Sequence, residues 1–117
     1  MRHTESKLQK NCVSWFRLQY RRIALLFFAV PNGGARSKIE AGIMKGEGVT
    51  AGVADTILLY PSGPYNCLCI EFKAPGRYQE RSQKEWQALV EANGGKYVVC
   101  RSFEQFQDII REYLLDL

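Results

Sequence analysis

Two acidic residues, Asp55 and Glu71, are spaced in the sequence so that a β-hairpin would bring them together. The apolar runs 54–60 and 66–73 flank a segment rich in Pro and Gly, a pattern that predicts two strands joined by a turn. If the turn centres on Gly63, Asp55 and Glu71 face each other across the strand pair. Directly opposed side chains have Cβ atoms about 5 Å apart, and like charges placed there destabilise a sheet. A divalent cation would compensate for this repulsion.

An amine accompanies the acidic pair, because Lys73 follows Glu71 by two residues and therefore points to the same face of the strand. Two carboxylates and an amine at one end of an apolar stripe predict a divalent-cation site beside a basic group. A second interpretation is that Asp55 belongs to a turn and that Glu71 and Lys73 form an exposed strand end. The E-x-K pattern alone is not specific, since the chain also contains Glu5-Ser6-Lys7.

The pattern around this hairpin predicts an α/β fold. Apolar residues at helical spacing predict a first helix from Thr4, its N-cap, to about Tyr20, with Glu5 on the inward face. The later predicted elements are a strand at 23–30, at most a short helical turn at 38–43, the two hairpin strands, a helix from a Ser82–Glu85 capping box to about 93, a strand at 96–101 and a helix capped by Ser102. Both hairpin strands are apolar on both faces and should be central, and the last strand should follow a right-handed parallel crossover. A mixed sheet covered by helices is therefore expected.

Length and composition favour a single domain over residues 1–117, with 46% hydrophobic and 24% charged residues. The longest apolar run, 23–30, is too short to span a membrane, and the N-terminus has no apolar secretory segment. We therefore expect a cytoplasmic protein without a membrane partner. The four cysteines and the single histidine do not have the spacing of a zinc site.

Positive charge is concentrated in the first part of the chain, where residues 1–50 hold nine Lys and Arg against three Glu. The net charge of the whole chain is +4. A basic half on a small domain is typical of proteins that bind a polyanion such as nucleic acid. A solvated cationic face has the same composition, so charge alone does not choose between the two.

The order and spacing of these motifs resemble the VRR-NUC nucleases of the PD-(D/E)xK superfamily. The resemblance covers nearly the whole chain: Glu5 in the first helix, then PNGGAR at 31–36, KGEGVTAGVAD at 45–55, IEFK at 70–73, SQKEW at 82–86 and GGKYVV at 94–99. Ala54 stands where the superfamily name places a proline, a position that shapes the backbone and supplies no ligand. The resemblance implies a restriction-endonuclease-like αβββαβ core, with a mixed four-stranded sheet flanked by helices.

The resemblance also implies the chemistry of a metal-dependent DNA endonuclease. The implied ligands of Mg²⁺ or Mn²⁺ are Asp55, Glu71, the carbonyl of Phe72 and, directly or through water, Glu5. Lys73 would orient or deprotonate the attacking water and stabilise the transition state, and Gln83 would hold Lys73 or that water.

Stand-alone members of this family resemble dimeric nucleases of phages and prophages that cut branched DNA, such as four-way (Holliday) junctions or flaps. The resemblance therefore implies a homodimer that acts on DNA in a bacterial or phage-infected cell. The residues expected along the DNA backbone are Asn32, Arg36, Lys38 and Lys45, with Arg36 as the main phosphate clamp. A non-catalytic DNA-binding module on the same scaffold is the first alternative, although it would not need two repelling carboxylates. A sequence-specific restriction-type enzyme is the second, but it would need further recognition elements.

Overall fold

The computed structural model describes residues 2–31, 37–115 and 117. In these ranges the helices and strands are α1 (Arg2–Gln19), β1 (Phe27–Ala29), α2 (Lys38–Gly46), β2 (Thr56–Leu58), β3 (Leu68–Phe72), α3 (Arg81–Ala92), β4 (Lys96–Cys100) and α4 (Phe103–Tyr113). A 3-10 helix, Arg21–Leu26, connects α1 to β1. None of the helices in the described ranges is long and apolar enough to cross a membrane.

The strands form one mixed sheet in the order β1-β2-β3-β4. β2 is antiparallel to both β1 and β3, whereas β4 runs parallel to β3 after the α3 crossover. All five residues of β3 are buried, as expected of a strand covered on both faces. The predicted mixed sheet with two central hairpin strands is confirmed. The strands are shorter than the apolar runs that predicted them.

Aromatic side chains fill the space between one face of the sheet and helices α1 and α4. Phe16, Phe27, Phe72 and Phe106 are all at most 1% exposed. The rings of Phe27 and Phe72 both contact Phe106, with centroid distances of 5.8 and 6.1 Å. On the opposite face, α3 packs on the sheet through Trp86. Helices on both faces therefore exclude water from the middle of β3.

The predicted strand at 23–30 is only partly correct. Its first half lies in the 3-10 helix, and the observed strand is limited to Phe27–Ala29. Ile23 is buried, whereas Leu25 is 83% exposed, so the run is not uniformly part of the core. A continuous apolar run has no period from which a strand and a helix can be distinguished, and this ambiguity explains the error.

Two predicted N-caps are also wrong. α1 begins before Thr4, which lies inside the helix. α3 begins one residue before Ser82, and its first turn is closed by Gln83, whose side chain accepts the backbone N–H of Glu80 at 2.8 Å. The predicted pairing of Ser82 with Glu85 is therefore replaced by a capping box two residues earlier, formed by Glu80 and Gln83. Both patterns have the spacing of a capping box, and serine is the preferred N-cap residue, so the sequence favoured the wrong one.

α2 is longer than the short turn predicted at 38–43 and extends to Gly46. Ser37 and Glu40 form a capping box that stabilises its first turn, which offsets the unfavourable glycine inside the helix. The predicted cap of α4 is confirmed, because the side chain of Ser102 accepts a backbone N–H of the first turn.

A glycine holds the segment before β2 against the start of α3. Gly52 has a φ of +87°, and a Cβ atom there would lie 2.2 Å from the carbonyl oxygen of Ser82. Glycine adopts this backbone conformation without strain and leaves room for the close approach. The position of this segment relative to α3 therefore depends on the absence of a side chain.

We predict that Gly52→Ala lowers the thermal unfolding temperature more than Gly76→Ala does. Gly76 has a similar φ of +82°, but no described atom outside its neighbours lies within 4 Å of a Cβ there. The control variant thus carries only the backbone strain, about 1–2 kcal/mol, whereas Gly52→Ala also forces the loop away from α3. Circular dichroism melts of both variants measure the difference, and equal losses would contradict the prediction.

Candidate active site

The strand register brings Asp55 and Glu71 together, as the sequence predicts. Thr56 pairs with Ile70, so Asp55, one residue earlier, lies opposite Glu71, one residue later. The Oδ2 atom of Asp55 accepts a hydrogen bond from the backbone N–H of Phe72 at 2.8 Å. This bond holds the carboxylate against β3 at the point where β2 begins.

Lys73 lies beside Glu71 at the end of β3. Its Nζ atom is 3.9 Å from Oε2 of Glu71, and both side chains are less than one-tenth exposed. The backbone N–H of Lys73 donates to Cys100 and continues the pairing with β4. The interpretation of Glu71 and Lys73 as an exposed strand end is therefore wrong. Charged groups are seldom buried in this way unless they are paired.

The amide of Gln83 joins α3 to this acidic pair. Its Nε2 atom donates to Oε2 of Glu71 at 2.7 Å, while its Oε1 atom accepts the backbone N–H of Glu80 at 2.8 Å. Both ends of the amide are used, so its orientation is fixed. The sequence resemblance implies a contact with Lys73 or with water, whereas the observed contact is with the carboxylate that pairs with Lys73.

Glu5 reaches the same place from the first turn of α1. Its Oε2 atom accepts the backbone N–H of Ala74 at 3.1 Å, directly after Lys73. A cavity of about 390 Å³ lies among these groups and is lined by Glu5, Ala51, Gly52, Val53, Asp55, Glu71, Lys73, Arg77, Glu80, Ser82 and Gln83. All the side chains that the sequence predicts for the metal and catalytic site are among them.

Burial raises the pKa of both acids in this cavity. Loss of water raises the pKa of Asp55, and the Phe72 N–H and the charge of Lys73 only partly offset this effect. Burial and the nearby charge of Asp55 raise the pKa of Glu71 to about 8, against the attraction of Lys73. Without a cation, Glu71 therefore holds a proton over much of the neutral pH range. A bound cation would displace that proton.

The oxygen atoms of the cavity fit a hard divalent cation. Within the described residues, Oε1 of Glu71 is buried without a hydrogen-bond partner, an unfavourable state unless something binds it. In a strand the N–H and C=O of one residue point to the same side, so the carbonyl of Phe72 faces Asp55 as its N–H does. Two carboxylates and a carbonyl, completed by water, are a ligand set that suits Mg²⁺ or Mn²⁺.

Glu5 lines the same cavity as Asp55 and Glu71, and one of its oxygens is bound to the backbone of Ala74. The described part of the chain contains no group of three or more Asp, Glu, His or Cys side chains arranged to hold a metal. Direct binding and a contact through water therefore both stay predictions for Glu5.

Two of the residues predicted for DNA contact, Lys38 and Lys45, lie at the two ends of α2 and do not line this cavity. Asn32 and Arg36 fall outside the described residues. Arg77, which the sequence analysis does not single out, lines the cavity. Arg77 lies four residues after Lys73, in the turn that leaves β3. This position in the sequence could have indicated that Arg77 lines the cavity.

We predict that the free energy of unfolding of the metal-free protein falls as the pH rises from about 5 to 8. Glu71 has its ordinary pKa near 4.5 when unfolded and about 8 when folded. The folded state therefore binds more protons than the unfolded state in this window. The stabilisation from protonated Glu71 is complete below the window and is lost as the pH rises through it, with a slope of at most about 1.4 kcal/mol per pH unit. Urea unfolding with EDTA at several pH values measures the slope. Glu71→Gln should flatten it, whereas Glu85→Gln, an exposed control, should not.

A solved structure described as a VRR_NUC domain protein is similar to this chain. The TM-score is 0.83 and the sequence identity 26%, and the match covers 96% of this chain and 88% of the other. No family model and no curated protein matches the chain. The mixed four-stranded sheet flanked by helices agrees with the expected restriction-endonuclease-like core. The resemblance to VRR-NUC domains that the sequence indicates is thereby confirmed at the level of the whole fold.

Proposed function

We propose that this chain is a metal-dependent endonuclease that hydrolyses phosphodiester bonds in DNA. The observation that carries the proposal is the meeting of the half-buried Asp55 with the buried Glu71 and Lys73 around one cavity, where a carboxylate oxygen lacks a partner among the described residues. A purely structural cluster gains nothing from two adjacent acids, one of which must take up a proton, and from a buried oxygen without a described partner. The similarity to a VRR_NUC domain protein supports the same conclusion.

In this proposal Asp55, Glu71 and the carbonyl of Phe72 hold Mg²⁺ or Mn²⁺, with Glu5 contributing directly or through water. When bound, the ion supplies positive charge against the phosphate and lowers the pKa of a nearby water. The hydrogen bonds from Phe72 to Asp55 and from Gln83 to Glu71 keep both carboxylates in position before substrate arrives. Groups fixed in advance need no reorganisation during the reaction.

Lys73 is the group proposed to act on the reacting atoms. Its amino group, next to Glu71 in the same cavity, would orient the attacking water when charged or accept its proton when neutral. It would also stabilise the negative charge that develops on the phosphate oxygens. Gln83 acts through Glu71 and is therefore a positioning residue.

The basic first half of the chain is proposed to bind the DNA backbone. The candidate residues are Asn32, Arg36, Lys38 and Lys45, which would contact phosphates without reading the bases. We propose four-way junctions or flaps as substrates and a homodimer as the active form, because two sites related by a twofold axis match a symmetric junction. The proposed location is the cytoplasm of a bacterial or phage-infected cell.

We predict that the protein cuts branched DNA only with Mg²⁺ or Mn²⁺, and that Glu71→Gln and Lys73→Met each lower the cleavage rate at least about 100-fold. Both substitutions remove a charge at the cavity with little change in volume. Glu85→Gln and Lys84→Met make the same changes at exposed positions of α3 and should keep the parent rate. Gel assays with labelled four-way junctions, flaps and linear duplexes measure the rates, and thermal melts verify folding.

The same assay separates the alternatives. Binding without cleavage of any DNA, with either metal, would favour the non-catalytic binding module. Cuts at one sequence in linear duplex would favour a restriction-type enzyme. Parent rates for Glu71→Gln or Lys73→Met would contradict the proposed site. Light scattering tests the homodimer, because a monomeric mass at assay concentration would exclude it as the active form.

A further inference from the structure

We propose that a groove between α1 and β1 holds the DNA strand on one side of the cleaved phosphate; this inference deepens the proposed nuclease function and rests on it. The groove has a volume of about 680 Å³ and shares Glu5 and Asp55 with the candidate active site. The two cavities therefore adjoin at these two side chains, and a strand at the active site would lie next to the groove.

The α1 side of the groove is a row of polar side chains. Ser6, Gln9, Lys10 and Ser14 line it, with spacings of three and four residues that place them on one face of the helix. Hydroxyl, amide and ammonium groups are the side chains that contact phosphate and sugar oxygens in protein–DNA interfaces. Lys10 is exposed, so its charge is available to a phosphate in the groove.

The β1 side of the groove is a sheet edge that presents backbone donors. Val30 donates its N–H to Asp55, and Leu26 accepts the N–H of Leu59, so these residues are bonded towards β2. Neighbouring residues of an antiparallel strand alternate in direction. The N–H of Ala29, which lines the groove, therefore points away from β2 and towards the groove. A backbone N–H is a donor that a phosphate oxygen accepts without regard to base identity.

The size and chemistry of the groove favour the backbone of one strand. Its volume is that of a pocket for a drug-sized ligand, which fits a short stretch of single strand and not a duplex. The described lining contains no aromatic ring on which bases could stack. Lys10 is the cation of the described lining, and the acids Glu5 and Asp55 lie where the groove adjoins the active site. Contacts in the groove should therefore be independent of base sequence.

The charge of Lys10 is tested by binding, separately from cleavage. Fluorescence anisotropy with a fluorescein-labelled four-way junction, in a Glu71→Gln background with Mg²⁺, measures affinity at several salt concentrations. Lys10→Gln should weaken binding roughly tenfold and reduce the slope of log affinity against log salt by about one. Lys7→Gln removes the same charge from an exposed position of α1 outside the groove and should change affinity less than about twofold.

The space in the groove is tested by filling it. Ser14→Trp should weaken binding of the labelled junction roughly tenfold or more, whereas Asn11→Trp, on an exposed position of α1 outside the groove, should not. Equal melting temperatures of the two variants show that both fold. The groove proposal is overturned if Lys10→Gln binds the junction with the same affinity as Lys7→Gln, and Ser14→Trp with the same affinity as Asn11→Trp. This holds even if the parent cleaves DNA. If the parent cleaves no DNA, the nuclease proposal fails, while the binding results still decide whether a strand occupies the groove.

Discussion

Two carboxylates that face each other inside a protein repel strongly, because little water remains to screen them. The half-buried Asp55 and the buried Glu71 are in this situation at one end of the two central strands, with the ammonium of Lys73 3.9 Å from Glu71. Burial and the charge of Asp55 together outweigh the attraction of the lysine, and they raise the pKa of Glu71. A divalent cation would favour the charged form of both carboxyl groups. The rest of the fold serves to keep these groups from moving apart.

Three contacts from separate elements maintain this arrangement. Gly52 lets the loop before Asp55 lie against the start of α3. From that helix, Gln83 donates to Glu71, and from α1, Glu5 accepts the N–H that follows Lys73. The contacts of Gln83 and Glu5 come from helices and end on β3 or on the backbone shortly after it. Sites built on such elements hold their geometry more closely than sites built on loops.

The sequence predicted the parts of the site that follow from local periodicity. The hairpin register follows from two-residue alternation and a turn near Gly63, so the meeting of Asp55 with Glu71 could be derived. The bond from Glu5 to Ala74 could not, because it joins residues 69 positions apart. Glu5 was assigned to the site through the family resemblance. The contacts of Gln83 with Glu71 and Glu80 became known only from the structure. The strand at 23–30 and the N-caps failed for a different reason, since uniform apolar runs and overlapping capping patterns each allow two solutions.

The contribution of Glu5 comes from the first turn of α1. The opening turn of a helix frays more readily than its interior, since its N–H groups have no partners within the helix. Unwinding that single turn would withdraw Glu5 from Ala74 while leaving the aromatic layer beneath α1 intact. The contact between Glu5 and Ala74 can thus be lost by local unwinding, without global unfolding.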